Sequence, residues 1–197
     1  MKKNYSYPVS SIGFTISELP GETAVYIEFS GCRQNCPGCH SDYLIGDQGD
    51  SLDLEDTVYN AYALAQKYPD DITAIVLMGG TANNGITEKS LGILIKALAK
   101  KTGLPIGLYS GRDEAPDKYL DVEEIRWVKT GSYKEAFGGL EEPTTNQRFY
   151  VKEHTIVTDQ YGVYSGRIPH WVDMTKQFQI LKGEEIAQQP NSDSDSE

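Results

Sequence analysis

The run AIVLMGG at residues 74–80 constrains the chain most, because it is short, almost wholly apolar and closed by two glycines. Such a run reads as a strand buried on both faces and ended by a tight turn. Its flanks have a different period. Upstream, Leu54, Val58, Ala61, Ala65 and Tyr68 recur at helical spacing behind candidate caps at Ser51 or Asp53. Downstream, Thr87 caps a stripe of Leu91, Leu94, Ile95 and Leu98, which Lys100, Lys101 and Gly103 bring to an end. Before these elements TAVYIEFS alternates, with Val25, Ile27 and Phe29 on one face. After them LPIGLYSG and EEIRWVKTG read as further strands, separated by an acidic linker with room for a short helix. The order β-α-β-α-β-(short α)-β predicts parallel strands joined by helical crossovers. RFYVKEHTIVTDQYGVYSG then reads as a hairpin turning at DQYG.

Composition bounds what such a fold can serve. The 197 residues, 39% hydrophobic and 24% charged, suit one domain over residues 1–187. Residues 188–197 read as a disordered acidic tail, since NSDSDSE carries three negative charges and no apolar anchor. A net charge of −11 argues against nucleic acid as a partner, which would need clustered Lys and Arg. The 13 tyrosines are scattered rather than interleaved with basic residues, so they read as packing groups. No window resembles a membrane span, and MKKNYSYPVS lacks the apolar centre of a signal peptide. The expected location is cytoplasmic, away from membranes.

All three cysteines fall in GCRQNCPGCHSDY, at Cys32, Cys36 and Cys39, in the loop after the first alternating strand. An odd number of thiols in a reduced compartment is a poor disulfide framework. A structural zinc ion wants four ligands, and His40 follows Cys39 too closely to supply the fourth without a sharp bend. A [4Fe–4S] cluster takes one thiolate per iron, so three cysteines would leave one iron open to a substrate or cosubstrate. Three inert buried thiols are the remaining reading. On spacing alone the open cluster, zinc and inert thiols all stand.

Cys-x3-Cys-x2-Cys after a first strand and before βα units resembles the radical S-adenosylmethionine (SAM) superfamily. FSGCRQNCPGCHSDYL is similar to the corresponding loop of the activating proteins of anaerobic ribonucleotide reductase. LMGG sits where that family has a Gly-Gly turn and LYSG where it has an aromatic-Thr-Gly-like strand end. TGSYKEAFGGLEEPTTNQRFY resembles its late segment. The likeness touches residues 23–165 in these islands. It implies an α/β fold, an incomplete (β/α) barrel of the radical SAM type with additional strands at the N- and C-terminal ends. It implies Cys32, Cys36 and Cys39 as ligands of a [4Fe–4S] cluster, with SAM as cosubstrate and an external one-electron donor. Reductive cleavage of SAM would give methionine and a 5′-deoxyadenosyl radical, which takes hydrogen from a glycine of the reductase large subunit. A radical SAM enzyme with another substrate, and a non-enzymatic metal-binding module, are the alternatives. The chain departs from the family at three places: Thr81-Ala82 replaces an acidic residue and Pro, His40 replaces Tyr, and Thr130-Gly131 replaces Asp-Gly.

Other residues enter as cosubstrate contacts or as ordinary structure. Gly79 and Gly80 end a strand at the edge where α/β folds bind ligands, and could let backbone approach an amine or form a plain turn. Gly38 and His40 would lie beside the adenine if the family geometry holds, with an exposed loop as the bland reading. Ser110 could bond the amino-acid part or the ribose, or serve its turn. Asn83 and Asn84 are candidate substitutes for the missing carboxylate. Asn146, Gln147 and Arg148 match a family motif without an assigned step, and Arg148 could form a salt bridge. His154 and His170 stand isolated, and Met78 reads as core.

Overall fold

The computed structural model describes residues 5–46 and 49–179, so the proposed tail lies outside the described residues. Eight strands form one sheet: β1 (Ser6–Thr15), β2 (Ala24–Phe29), β3 (Asp50–Asp53), β4 (Ala74–Met78), β5 (Ile106–Tyr109), β6 (Ile125–Thr130), β7 (Arg148–Thr158) and β8 (Tyr164–Asp173). Their spatial order is β3-β1-β2-β4-β5-β6-β7-β8. The four central strands β2, β4, β5 and β6 are parallel, while β1 and β3 on one side and β7 and β8 on the other run antiparallel to their neighbours.

This overturns the barrel expectation. Even an incomplete (β/α) barrel needs a helix behind each of its parallel strands, and here the eight strands form one mixed sheet that ends in β3 and β8. The crossovers are too few to wrap it. Helix α1 (Leu54–Ala65) and helix α2 (Glu88–Thr102) are the α-helical crossovers among the described residues. The β5–β6 connection is a 3-10 turn at Pro116–Tyr119, because its acidic stretch holds no apolar stripe long enough to cover a third strand.

The two helices form for reasons visible locally. Asp53 caps α1 by accepting from the Asp56 N–H at 2.8 Å. Thr87 and Ser90 cap each other's backbone N–H groups at the start of α2. Gly103, at φ 74°, takes the left-handed turn that stops α2, and its N–H donates to Ala99. Both helices press on one sheet face: Ala61, Ala65, Leu91, Leu94, Ile95 and Leu98 share a core with Val25, Ile27, Phe29, Ile75, Leu77, Ile106 and Leu108. The Tyr7 hydroxyl bonds the Ser90 carbonyl at 2.9 Å and joins β1 to α2.

Among the described residues, the opposite face has no crossover helix over it. Ala24, Ala74, Val76, Trp127 and Phe149 are covered instead by Leu19, Leu140 and Phe178, from loops and from the helical stretch 175–179. Toward the carboxyl ends of the parallel strands this cover stops, and a cavity opens there. The far half of the β7–β8 hairpin runs past the sheet body, with Ile156, Tyr161, Val163, Tyr164 and Ile168 exposed. No helix among the described residues is long and apolar enough to cross a membrane.

Leu94, fully buried between α2 and the sheet, should cost about 2–5 kcal/mol of unfolding free energy as Leu94→Ala. Ile168→Thr on the hairpin should stay within about 0.5 kcal/mol of the parent. Urea unfolding of both variants checks which face carries the stability, and equal losses would refute this division of the core.

Candidate functional site

Parallel pairing sets the site's floor. Glu28 is opposite Met78, Leu77 is opposite Leu108 one residue earlier than Met78 and Tyr109, and Tyr109 is opposite Lys129. Glu28, Met78, Tyr109 and Lys129 therefore form a row across β2, β4, β5 and β6, on the face opposite α1 and α2. A cavity of about 440 Å³ stands over this row. Its walls come from the loops at the carboxyl ends of those strands, where ligands bind in parallel sheets.

Cys32, Cys36 and Cys39 all line the cavity, half-buried and without disulfide partners. The cysteine loop leaves β2 at Ser30 and is clasped from two sides. The Cys32 N–H donates to Leu44 at 2.9 Å, and the backbone of Cys32 bridges Asn83 on its other side. The second and third cysteines sit on a turn closed by the Cys39 N–H to the Cys36 carbonyl at 3.2 Å. Gly38, at φ 68° on that turn, supplies the left-handed conformation a side chain would resist.

Among the other residues singled out by sequence, His40, Gly79, Ser110 and Gln147 also line the cavity, whereas Gly38, Gly80, Asn146 and Arg148 do not. His40 lies against Tyr133, ring centres 5.4 Å apart, and the pair forms one wall. Gly79 adopts φ 80°, and a Cβ there would come within 2.5 Å of the Phe29 carbonyl. Close packing of two strand ends thus explains that glycine. Gly80 is buried against Phe29 and Leu91. The Ser110 hydroxyl donates to Glu114 at 2.7 Å. Burial pushes the Glu114 carboxyl up, but hydrogen bonds from Tyr119 and Ser110 and the charge of Lys118 bring it below the ordinary carboxylate range. Gln147 bonds the Gly131 carbonyl, Asn146 bonds the Ser132 carbonyl, and Arg148 braces the Thr145 and Gln147 carbonyls. The last three hold the late segment together. Met78, read from sequence as core, packs on the second core and also lines the cavity. His170 approaches the Thr155 hydroxyl at 3.4 Å on the hairpin and does not line the cavity.

Two cavity groups were missed. Lys129 reaches inward on β6, its Nζ 5.4 Å from the Tyr109 ring centre, with no hydrogen-bond or ion-pair partner among the described residues. Burial pushes its ammonium down to about 8, against the pull of Glu18, Cys39, Cys36 and Glu141. Thr81 presents a buried hydroxyl oxygen without a partner among the described residues at the cavity wall. Lys129 was detectable as the residue two places beyond Trp127 on an alternating strand, hence on the same face. Thr81 carried no signal beyond standing where an acidic residue is expected.

Three thiols are the donor set that a [4Fe–4S] cluster with one open iron would use. Among the described residues no three His, Cys, Asp or Glu side chains converge as ligands of a single metal ion. A four-iron cluster spreads its thiolates over separate irons and requires no such convergence. The unpartnered Thr81 hydroxyl and the unpaired Lys129 ammonium leave one polar and one cationic contact beside the thiols. No family model and no curated protein matches the chain.

Because the folded-state pKa of Lys129 is lowered from 10.5, the unfolded chain binds more protons between pH 8 and 10.5. This group therefore makes stability rise with pH across that window. Lys129→Met should raise the melting temperature at pH 7.5 and flatten that rise. Parallel urea titrations at pH 7.5 and 9.5 test it, and an unchanged pH slope would refute the burial assigned to this ammonium.

Proposed function

We propose that the chain is a cytoplasmic radical SAM activase that generates a glycyl radical on the large subunit of anaerobic ribonucleotide reductase. The observation that carries this reading is the meeting of all three thiols in one cavity at the carboxyl ends of the parallel strands. Cys32, Cys36 and Cys39 would hold a [4Fe–4S] cluster, leaving one iron for SAM. When bound and reduced by an external donor, the cluster supplies the electron that opens the carbon–sulfur bond of SAM.

The chain's own part is binding and orientation. Each cysteine gives up its proton on ligation. The Lys129 ammonium, which Cys39 and Cys36 help to keep charged against its burial, offers a charged donor for the cosubstrate carboxylate. Thr81 offers its free hydroxyl to the amino-acid portion. His40 and Tyr133 give a flat wall for the base, while Leu140, Met78 and Phe178 keep water from the inner end. The sheet is open, so a polypeptide loop of the reductase has a route to this face without threading a closed barrel.

Anaerobic reconstitution with iron and sulfide, followed by reduction and electron paramagnetic resonance, should give a [4Fe–4S]⁺ signal that changes on adding SAM. Adding the reductase large subunit should then yield a glycyl-radical signal. A changed cluster signal without the glycyl radical would redirect the enzyme to another substrate. Tightly held zinc with no response to SAM would make it a metal-binding module.

Replacing Cys32, Cys36 or Cys39 singly by Ala should bring SAM cleavage below detection, and one active variant would remove that cysteine from the ligand set. Lys129→Met should weaken SAM binding by about 10–100-fold, the worth of a hydrogen bond to a charged group. Calorimetry on the reconstituted protein measures this, and an unchanged affinity would separate Lys129 from the cosubstrate.

A further inference from the structure

Sequence reasoning offered Asn83 as a polar contact for the cosubstrate. Its side chain is engaged elsewhere. It is 8% exposed, and its amide nitrogen donates to the Ser30 carbonyl at 2.6 Å and to the Gly79 carbonyl at 3.0 Å. Its amide oxygen accepts the Gly85 N–H at 2.8 Å. One carboxamide thus joins the end of β2, the turn after β4 and the loop beyond it. The type is dictated by the site: two carbonyls must receive two N–H donors, and one N–H must find an acceptor.

The backbone repeats the same join. The Arg33 N–H donates to Ala82 at 2.8 Å, the Asn84 N–H donates to Gly31 at 3.0 Å, and Cys32 forms an antiparallel bridge with Asn83. From the far side, Gly31 and Cys32 donate to Gly46 and Leu44 at 2.6 and 2.9 Å. Cys32 therefore lies in the middle of a small three-segment ladder. Cys36 and Cys39 share only their own turn bond, with Gln34 tied to the Gly111 carbonyl at 2.7 Å between them and Cys32.

We infer that Asn83 is a positioning residue for Cys32: it fixes the first thiol of the loop in place before any ligand binds, independently of the turn that carries Cys36 and Cys39. For the cluster this rests on the function proposed above; for the thiol itself it does not. Losing the carboxamide leaves the Ser30 and Gly79 carbonyls without a donor, and the ladder around Cys32 opens more often. Cys36 and Cys39 hang from a separate turn and are spared.

The test uses the full chain in two forms. In the metal-free, reduced protein, iodoacetamide labelling read by peptide mass spectrometry gives the rate at each cysteine. Asn83→Ala should raise the Cys32 rate about tenfold or more, the range expected when a buried hydrogen-bonded group is removed, and leave Cys36 and Cys39 within about twofold. Asn83→Asp keeps the size and the acceptor for Gly85 while removing both donors, so it should move Cys32 in the same direction if Asn83→Ala fails to fold. Asn84→Ala, in the same loop but bonded through its side chain to Arg33, should leave Cys32 unchanged. Uniform acceleration at all three cysteines, no acceleration at Cys32, or an equal effect from Asn84→Ala would each overturn the inference. In the reconstituted protein, Asn83→Asp should lose iron to a chelator faster and give a reduced-cluster resonance with shifted g-values. An unchanged resonance and unchanged iron loss would overturn the cluster half of the inference. A wild-type chain that takes up no cluster would instead defeat the proposed function and leave the thiol result standing.

Discussion

The parallel pairing of β2 with β4 is the contact on which the cavity depends. These strands are not neighbours in sequence, because β3 and α1 intervene, with β3 delivered to the edge beside β1. Five paired positions, from Ala24–Ala74 to Glu28–Met78, end the two strands level with each other. The loops that follow, one bearing the cysteines and one beginning Gly79-Gly80, must then leave side by side. Gly79 is the consequence: its missing Cβ lets the turn close on the Phe29 carbonyl. A slip of this register by one residue would turn Val25, Ile27 and Phe29 away from the helices and separate the two loops at once.

Stability and site are built on opposite faces of the same strands. The helix face follows the rules of a well-packed interior, with Leu77, Leu94, Leu98 and Leu108 fully buried together. The cavity face breaks those rules in particular places. Among the described residues, Lys129 carries a charge into a half-buried position without an ion pair, and Thr81 hides a hydroxyl with no partner. Neither is needed to close the sheet, since Val128 and Ile125 already anchor β6 in the helix-side core. Departures from local consistency of this kind concentrate where a fold keeps groups ready for something it does not itself contain.

What the sequence disclosed divides along the same line. α1, α2, β4 and the terminal hairpin were legible because period, caps and turn residues are local signals. Tyr68 was assigned to the α1 stripe and instead lies past the helix end, half exposed, packing on Phe14 at 5.3 Å. β3 went unread because DSLD has no period of its own; it is a strand only through its pairing with Ser6–Val9. The incomplete (β/α) barrel failed for a related reason. Alternating βα units announce parallel strands but say nothing of what flanks them, and antiparallel partners on both sides leave an open sheet. Three thiols were plain in the sequence, whereas their meeting with Lys129, distant in the chain, required the register of β5 against β6.

The open sheet changes what the loops must do. In a closed barrel, neighbouring strands on every side would hold each loop of the rim. Here the cover over the inner end comes from Leu19, Leu140 and Phe178, and Phe178 is held by ring contact with Phe149 at 4.9 Å. The rim has to be rigid through hydrogen bonds between loops rather than through adjacent strands. Asn83 supplies such bonds on the β2–β4 side; Gln34 to Gly111 and Ser110 to Glu114 supply them on the β5 side. The cysteine loop crosses between these two supports, fastened firmly at Cys32 and more loosely at the turn. For the cluster proposed above, that inequality would leave one thiol preset and two able to close around what enters, so less ordering would be left to occur on binding than if all three were free.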